Sequence, residues 1–457
     1  MSVRNFAIYT MLLLIAACAM GKGPKYVFYF IGDGMGPSHV LGTELFLGEK
    51  EGVIGRPKKL CFTQFPHTAF VTTFSASNGV TDSAASGTAL ATGHKTNNGH
   101  LGVTPDGEPV YSVAHAAKEA GYAVGLATTV CINHATPGAF YAHSNSRNNY
   151  HDIAQDMIDA DYDFYAGGDV KCSDEQRKAF YTKAGEHGYA IARGYTDYFV
   201  KSSYAKKMML YQEEVREDIP YAIDRDHKDL TLAQITDAAI DFLQDKSKKG
   251  FFLMVEGGKI DYASHSDDAA TVFHETLDFA AAIARAVEFY KKHSKETLII
   301  VTADHETGGL VLGYSGAYKL NLKALDCQKA SEDKLKSIMR TKAMQRMVMQ
   351  WEDMQAVISE NTGLWGELKP SKEEEKAMKQ LFEEGNTNPE KRVEKFEAIA
   401  TVAKNAVNRI ALVSWASPNH SGTFVPLFAI GKGAEEFHGV IDNTDIPKMI
   451  EKVAGYK

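Results

Sequence analysis

The sequence predicts an α/β protein with a largely parallel central sheet flanked by helices. Three observations carry that prediction. Short apolar runs recur at residues 25–31, 122–129, 251–255 and 297–302, each ending in polar or acidic residues. Helical stretches, such as 112–120 and 231–244, lie between them. The first run breaks abruptly into Gly32-Asp33-Gly34-Met35-Gly36, as a buried strand entering a glycine turn does. Ligands of such sheets bind beyond the carboxyl ends of the strands, where the acidic residues of this chain stand.

The glycine turn is not a dinucleotide fingerprint, because Pro37 occupies the place of the third glycine. Residues 150–225 are mixed and polar, with a break at Gly167-Gly168, and read as an insertion rather than sheet. A second insertion, helix-rich and loaded with Lys, Glu, Met and Ala, spans residues 320–410. Its position between His305 and His420 predicts a cap over the site, ahead of an interface or a plain cover for the sheet. The charge run at residues 372–375 reads as a solvated helical face.

With 457 residues, 44% hydrophobic and 24% charged, the chain has a soluble globular composition and room for a sizeable core. A formal net charge of -8 argues against a nucleic-acid partner, which needs clustered Lys and Arg. It leaves room for a locally positive cleft and a small anionic substrate. Arg4 followed by an apolar run at residues 9–17 marks residues 1–19 as a signal segment, too short to serve as a membrane anchor. Ala17-Cys18-Ala19 permits ordinary cleavage. Ile15-Ala16-Ala17-Cys18 resembles a lipoprotein signal with cleavage before Cys18, which would then carry a lipid, and this reading is preferred. Either way the protein is expected to be exported, as a periplasmic protein or an outer-membrane-anchored lipoprotein. Cys61, Cys131, Cys172 and Cys327 lack CxxC spacing and are expected as isolated buried thiols.

The chemistry concentrates in a few segments. Val80-Thr81-Asp82-Ser83-Ala84-Ala85-Ser86-Gly87 sets a serine beside an aspartate among small residues, so Ser83 is either a helix cap or a nucleophile. Asp33 follows the first strand; Glu256, Asp261 and His265 lie in VEGGKIDYASH, Asp304 and His305 in VTADHETGG, and His420 in SPNHSG. Any one of them alone has a bland reading as a turn, cap or hydrogen-bonded residue. Together at strand ends, their oxygens and imidazoles suit zinc and magnesium. Asp261 and His265, four apart, face the same way on one helical turn.

The ordered set IGDGMG, TDSAASGTALATG, NHATPGAFYAHSNSR, VEGGKID with His265, TADHETGG and the late His420 resembles the alkaline phosphatase family, from Lys25 to the C-terminus. The resemblance implies hydrolysis of phosphate monoesters, through a phosphoserine on Ser83, with two zinc ions and one magnesium ion as cofactors. It implies Asp261, His265 and His420 as ligands of one zinc, and Asp33, Asp304 and His305 as ligands of the second, with Ser83 completing its shell. Asp33 would bridge to a magnesium site with Thr136 and Glu256, and Arg147 would clamp the phosphoryl oxygens. A homodimer is common in the family. Because Asp33 and His420 must meet, residues 25–457 are expected to close as a single domain with insertions.

The residues agree with this on physical grounds. Serine is a poor nucleophile near neutral pH without a base or a cation, and no GxSxG elbow or Ser-His-Asp order is present. Three divalent ions and Arg147, set against Asp33, Asp261, Glu256 and Asp304, balance a phosphate dianion plus a serine alkoxide. The same site would be over-positive for a diester. A sulfatase would need a CxPxR-type context, which Asp82-Ser83-Ala84-Ala85 lacks. Diesterases lack the third-metal set, and a non-catalytic zinc- or phosphate-binding surface protein would not need the complete one. Two positions depart from the better-known family pattern: His134, where some members place an aspartate near the magnesium, and Tyr262, where a basic residue or tryptophan stands near the phosphate. Asp82 is expected to orient its loop or Arg147 rather than to act as a base.

Overall fold

The structure is a computed structural model that describes residues 23–314, 316, 318–345 and 349–456. The signal segment at residues 1–19, with Arg4 and Cys18, lies outside the described residues. In chain order the strands are β1 (Tyr26–Ile31), β2 (His67–Thr72), β3 (Ala123–Cys131), β4 (Phe164–Gly168), β5 (Tyr189–Arg193), β6 (Lys207–Tyr211) and β7 (Phe251–Glu256). They continue with β8 (Thr297–Thr302), β9 (Glu306–Thr307), β10 (Val311–Leu312), β11 (Val413–Ser414), β12 (His420–Ser421), β13 (Val425–Gly431) and β14 (Gly439–Asp442).

One ten-stranded sheet runs in the order β14-β2-β13-β8-β1-β7-β3-β4-β6-β5. Its neighbours pair in parallel except at β13, which is antiparallel to both β8 and β2. Strands β1, β3, β7 and β8 are buried along their whole length. Burial on both faces is why each reads as an uninterrupted apolar run. Helices cover the sheet, among them Val113–Glu119, Leu232–Leu243 and the long Ala269–His293.

Register decides where the acids arrive. Ile31 of β1 pairs with Glu256 of β7 and with Thr302 of β8, and Glu256 pairs with Thr128 of β3. The strand ends are therefore level, and Asp33, Glu256 and Asp304 emerge side by side at one sheet edge. No helix of the described residues is long and apolar enough to cross a membrane.

The segment 150–225 corrects the reading of it as an insertion outside the sheet, because β4, β5 and β6 lie within it and extend the sheet on one side. These strands have five residues each, and one of them ends in Gly167-Gly168. Short strands with polar helices between them dilute the apolar signal below recognition.

The region 320–410 is helical as expected, with Glu332–Met344, Trp351–Thr362, Lys372–Thr387 and Arg392–Ala411. It docks on the turn that follows His265. Gln328 Nε2 and the Glu332 N–H donate to the buried Asp268 carboxylate, and Asn408 Nδ2 donates to the Asp267 carbonyl. Among the described residues it sends no hydrogen bond to the candidate ligands, and these contacts support the turn just after His265. The run at 372–375 opens a helix with Lys372, Glu373 and Glu375 exposed, as expected, while Glu374 closes a capping box with Ser371 and pairs with Arg409 at 2.6 Å. Of the four cysteines among the described residues, all free, only Cys131 is buried; Cys61, Cys172 and Cys327 are half-buried. The central sheet sets stability: Ile300, fully buried in β8 between Tyr29 and Ala429, should cost about 2–5 kcal/mol on Ile300→Ala. Denaturant unfolding measures that loss.

Candidate active site and metal centre

Each loop that leaves the sheet edge has a local reason for its path. After β1 the chain reverses at Gly34 with a φ of +73°, where a Cβ would fall 2.8 Å from Thr307 Oγ1 and 3.0 Å from Asp261 Cα. Only glycine fits there. The Gly34 N–H and the His305 N–H both donate to Asp304 Oδ1, at 3.1 and 2.9 Å, fixing that carboxylate. The helix Ser83–Thr92 is made of small residues and is buried throughout. Its Gly87 passes so close to Thr136 that a Cβ would lie 3.2 Å from the Thr136 Cα.

Ser83 is the first residue of that helix, and the cap is Asp82, whose Oδ1 accepts from the Ala85 N–H at 3.0 Å. The other oxygen of Asp82 accepts from Gly99 N–H and from Arg147 Nη1, each at 3.0 Å. Asp82 thus orients both the loop and Arg147, as the sequence suggested.

Three clusters of candidate metal ligands form: Asp261 with His265 and His420, Asp33 with Asp304 and His305, and Asp33 with His134 and Glu256. Asp33 belongs to two of them. His134, a doubtful position in the sequence, joins the third cluster. Tyr262 lies against it, the two ring centroids 5.8 Å apart.

The donor sets fit cations. His305 Nε2 has Ser83 Oγ at 3.2 Å, Asp304 Oδ2 at 3.2 Å and Asp33 Oδ1 at 3.3 Å. Both Asp33 oxygens, Asp304 Oδ2, Glu256 Oε1 and Thr136 Oγ1 are buried without a hydrogen-bond partner. Native proteins seldom leave so many buried polar atoms unpaired, and metal ligation would satisfy them together. In the remaining cluster, His265 Nδ1 lies 2.6 Å from the Pro418 carbonyl and His420 Nδ1 lies 2.8 Å from the Thr81 carbonyl. Carbonyls only accept, so both Nδ1 atoms carry hydrogen, and the Nε2 atoms are left to hold a proton or a metal ion. Those two Nε2 atoms face each other at 3.2 Å, an arrangement that calls for a cation between them.

Electrostatics tell the same story. Burial, then the neighbouring carboxylates, push Asp33 and Asp304 well above the usual carboxyl range, and burial raises Glu256 to about 7. Burial lowers His134 to about 3, with Arg147 adding to the effect. The hydrogen bond to Asp261 raises His265 to about 9, a proton standing where a metal would otherwise sit. Arg147 Nη2 lies 3.1 Å from His134 Nε2; a guanidinium only donates, so Nε2 accepts.

The geometry adds one residue that the sequence reading missed. Thr307 Oγ1 lies 2.5 Å from Asp261 Oδ1 and 3.2 Å from His305 Nδ1. Thr307 stands two residues after His305, in β9 (Glu306–Thr307).

These shifts fix a pH response for the metal-free protein. A group whose pKa is higher folded than unfolded gives its stability below the unfolded value and loses it as pH rises through the folded one. Between pH 7 and 9 this applies to His265, while His39, His134 and His305, all lowered, act only below about 6.5. Chelator-treated protein should therefore melt at lower temperature at pH 9 than at pH 7, and zinc-loaded protein should not; calorimetry at both pH values checks this.

Comparison with known proteins agrees with this geometry. The sequence profile described as alkaline phosphatase matches residues 24–167 and 201–456. Alkaline phosphatase 4 of Bacillus subtilis (strain 168) is 33% identical over 441 residues, covering 94% of this chain and 88% of its own length. The solved structure of a cold-active alkaline phosphatase from the psychrophile Shewanella sp. is 30% identical, with a TM-score of 0.81, covering 94% of this chain and 99% of that one. A His-to-Glu variant of the TAB5 alkaline phosphatase, solved with Mg bound in its M3 site, is 27% identical, with a TM-score of 0.67 over 95% of this chain and 99% of its own. The wild-type TAB5 enzyme comes from an Antarctic bacterium. The profile spans most of the chain and the identity extends over nearly all of it, so the protein is a phosphatase that belongs to the alkaline phosphatase family.

Proposed function

We propose that this phosphatase hydrolyses phosphate monoesters to an alcohol and inorganic phosphate through a phosphoserine on Ser83, using two zinc ions and one magnesium ion. The observation that carries the reading is the ring of partnerless buried atoms around His305 Nε2, with the Ser83 hydroxyl 3.2 Å away. Asp261, His265 and His420 would hold one zinc, Asp33, Asp304 and His305 the other, and Asp33, Thr136 and Glu256 the magnesium. Such ions, when bound, lower the pKa of a serine hydroxyl and screen charge on phosphoryl oxygens.

The chain's own groups do the rest. Ser83 stands in the first turn of its helix, where unpaired backbone N–H groups favour an anionic oxygen. Once its proton has passed to solvent, Oγ bonds to phosphorus as the bond from phosphorus to the alcohol oxygen breaks. Water then takes the phosphoryl group, restoring the hydroxyl and releasing phosphate. Arg147, poised by Asp82, offers paired N–H donors to two non-bridging oxygens. A diester lacks one of the charges this site is balanced for. Export to the periplasm, or anchoring at the outer membrane through Cys18, and assembly as a homodimer belong to the same proposal.

The third site is proposed to hold magnesium less firmly than an aspartate-containing site would. With His134 Nε2 accepting from Arg147, the ring proton sits on Nδ1, where a cation would need a lone pair. Imidazole is in any case a poor match for magnesium, which prefers oxygen. TAB5 variants in which a histidine is replaced by Glu or Asp have been solved with Mg bound in their M3 site. His134→Asp should tighten magnesium about tenfold or more in equilibrium dialysis; tight stoichiometric magnesium in the unaltered protein would count against it. Ser83→Ala should lower monoester hydrolysis by at least about 10³-fold with metal content retained. Full activity in that variant, or a diester rate matching the best monoester, would sink the proposal.

A further inference from the structure

We infer that Thr307 is a positioning residue shared by two of the clusters, its one hydroxyl orienting His305 and Asp261 together. The inference rests on reading those clusters as zinc sites. Thr307 and His305 are wholly buried and Asp261 is nearly so, so no solvent competes for their hydrogen bonds. A hydroxyl has one proton to give. Asp261 Oδ1, at 2.5 Å, can only accept as a carboxylate, so the proton points there. What Thr307 turns toward His305 Nδ1, at 3.2 Å, is therefore a lone pair, and Nδ1 must carry the hydrogen. That leaves the Nε2 lone pair directed at Ser83 Oγ, Asp33 and Asp304. The chain of donors runs one way only, from His305 through Thr307 to Asp261.

The backbone holds the hydroxyl in place. The Thr307 N–H donates to the Gly34 carbonyl at 3.1 Å, and the missing Gly34 side chain leaves just the space that Oγ1 fills. Thr307 also pairs with His420 across β9 and β12, and the His420 ring stacks on the His305 ring with centroids 3.6 Å apart. One residue thus adjoins ligands of both clusters. The contrast with the other two imidazoles matters. His265 and His420 are oriented by the backbone carbonyls of Pro418 and Thr81, which side-chain substitution leaves intact. His305 depends on a side chain.

Thr307→Val keeps the shape and removes the hydroxyl, whereas Thr307→Ser keeps the hydroxyl and removes a methyl. The experiment strips the full-length protein of metal and titrates zinc against a fluorescent chelator. It also measures the melting temperature of the zinc-free form. The parent should take up two zinc ions tightly. Both should loosen about 10–100-fold in Thr307→Val, with the zinc-free melting temperature near the parent's, and Thr307→Ser should bind like the parent. Parent-like zinc binding by Thr307→Val overturns the inference and leaves the zinc reading standing. So does loosening of one ion alone, or equal loosening in Thr307→Ser. A parent that takes up no zinc overturns the zinc reading itself, and the inference with it. If Thr307→Val does not fold, Thr307→Ala and Thr307→Ser, which differ only by the hydroxyl, are judged by the same criterion.

Discussion

Carboxylates of like charge cannot share a dry cavity unless a cation or a proton cancels part of their charge. In this fold Asp33, Glu256, Asp261 and Asp304 are buried together at one edge of the sheet, and the surroundings answer to that constraint. Gly34 and His305 commit their N–H groups to one oxygen of Asp304 and leave the other bare. Thr128 donates a short hydrogen bond to one oxygen of Glu256 and likewise leaves its partner free. His265 is held protonated to about pH 9 beside Asp261. The half-satisfied carboxylates share a pattern: one oxygen anchors the side chain, and the other is kept for something positive. Several such atoms converging on one cluster of carboxylates and imidazoles mark a place for function.

The sequence showed the central strands and the ligand-bearing loops for the same reason. Strands β1, β3, β7 and β8 are buried on both faces, so they appear as apolar runs, and the acids stand immediately after three of them. Strands β4, β5 and β6 stayed hidden, since five-residue strands with Gly167-Gly168, Arg193 and Lys207 at their ends carry little pattern. Within the site, Ser83, Asp33, Asp304 and His305 were legible because they occupy motifs. Thr307 was not, because threonine in a short strand is ordinary and only its neighbours give its hydroxyl a task. His134 was a doubtful position until the fold placed it beside Asp33 and Glu256. The double duty of Asp82, capping one helix while holding Arg147, depends on a contact across 65 residues that spacing alone cannot predict.

The helical region at 320–410 shows a division of labour. Its buried anchor is Glu332, which faces Lys404 at 3.5 Å and Lys336 at 2.8 Å. Among its outward bonds, those of Gln328, Glu332 and Asn408 meet Asp267 and Asp268, just beyond the helix that carries Asp261 and His265. Ligands at a helix end that frays would be poorly placed, and geometry within a few tenths of an ångström matters for metal binding. Support of the turn after His265 serves that need.

The pairing of β9 with β12 has a further meaning for how the molecule comes into being. His420 reaches Asp261 and His265 only after the chain has been made almost to its end and has folded back onto Glu306–Thr307. The clusters that contain Asp33 draw on residues no later than His305 and can assemble earlier. A chain cut short before residue 420 keeps the residues of the other two ligand sets and of β1 through β8, yet it lacks His420, one of the two imidazoles that face each other. Completeness of the polypeptide is written into the order in which its ligands arrive.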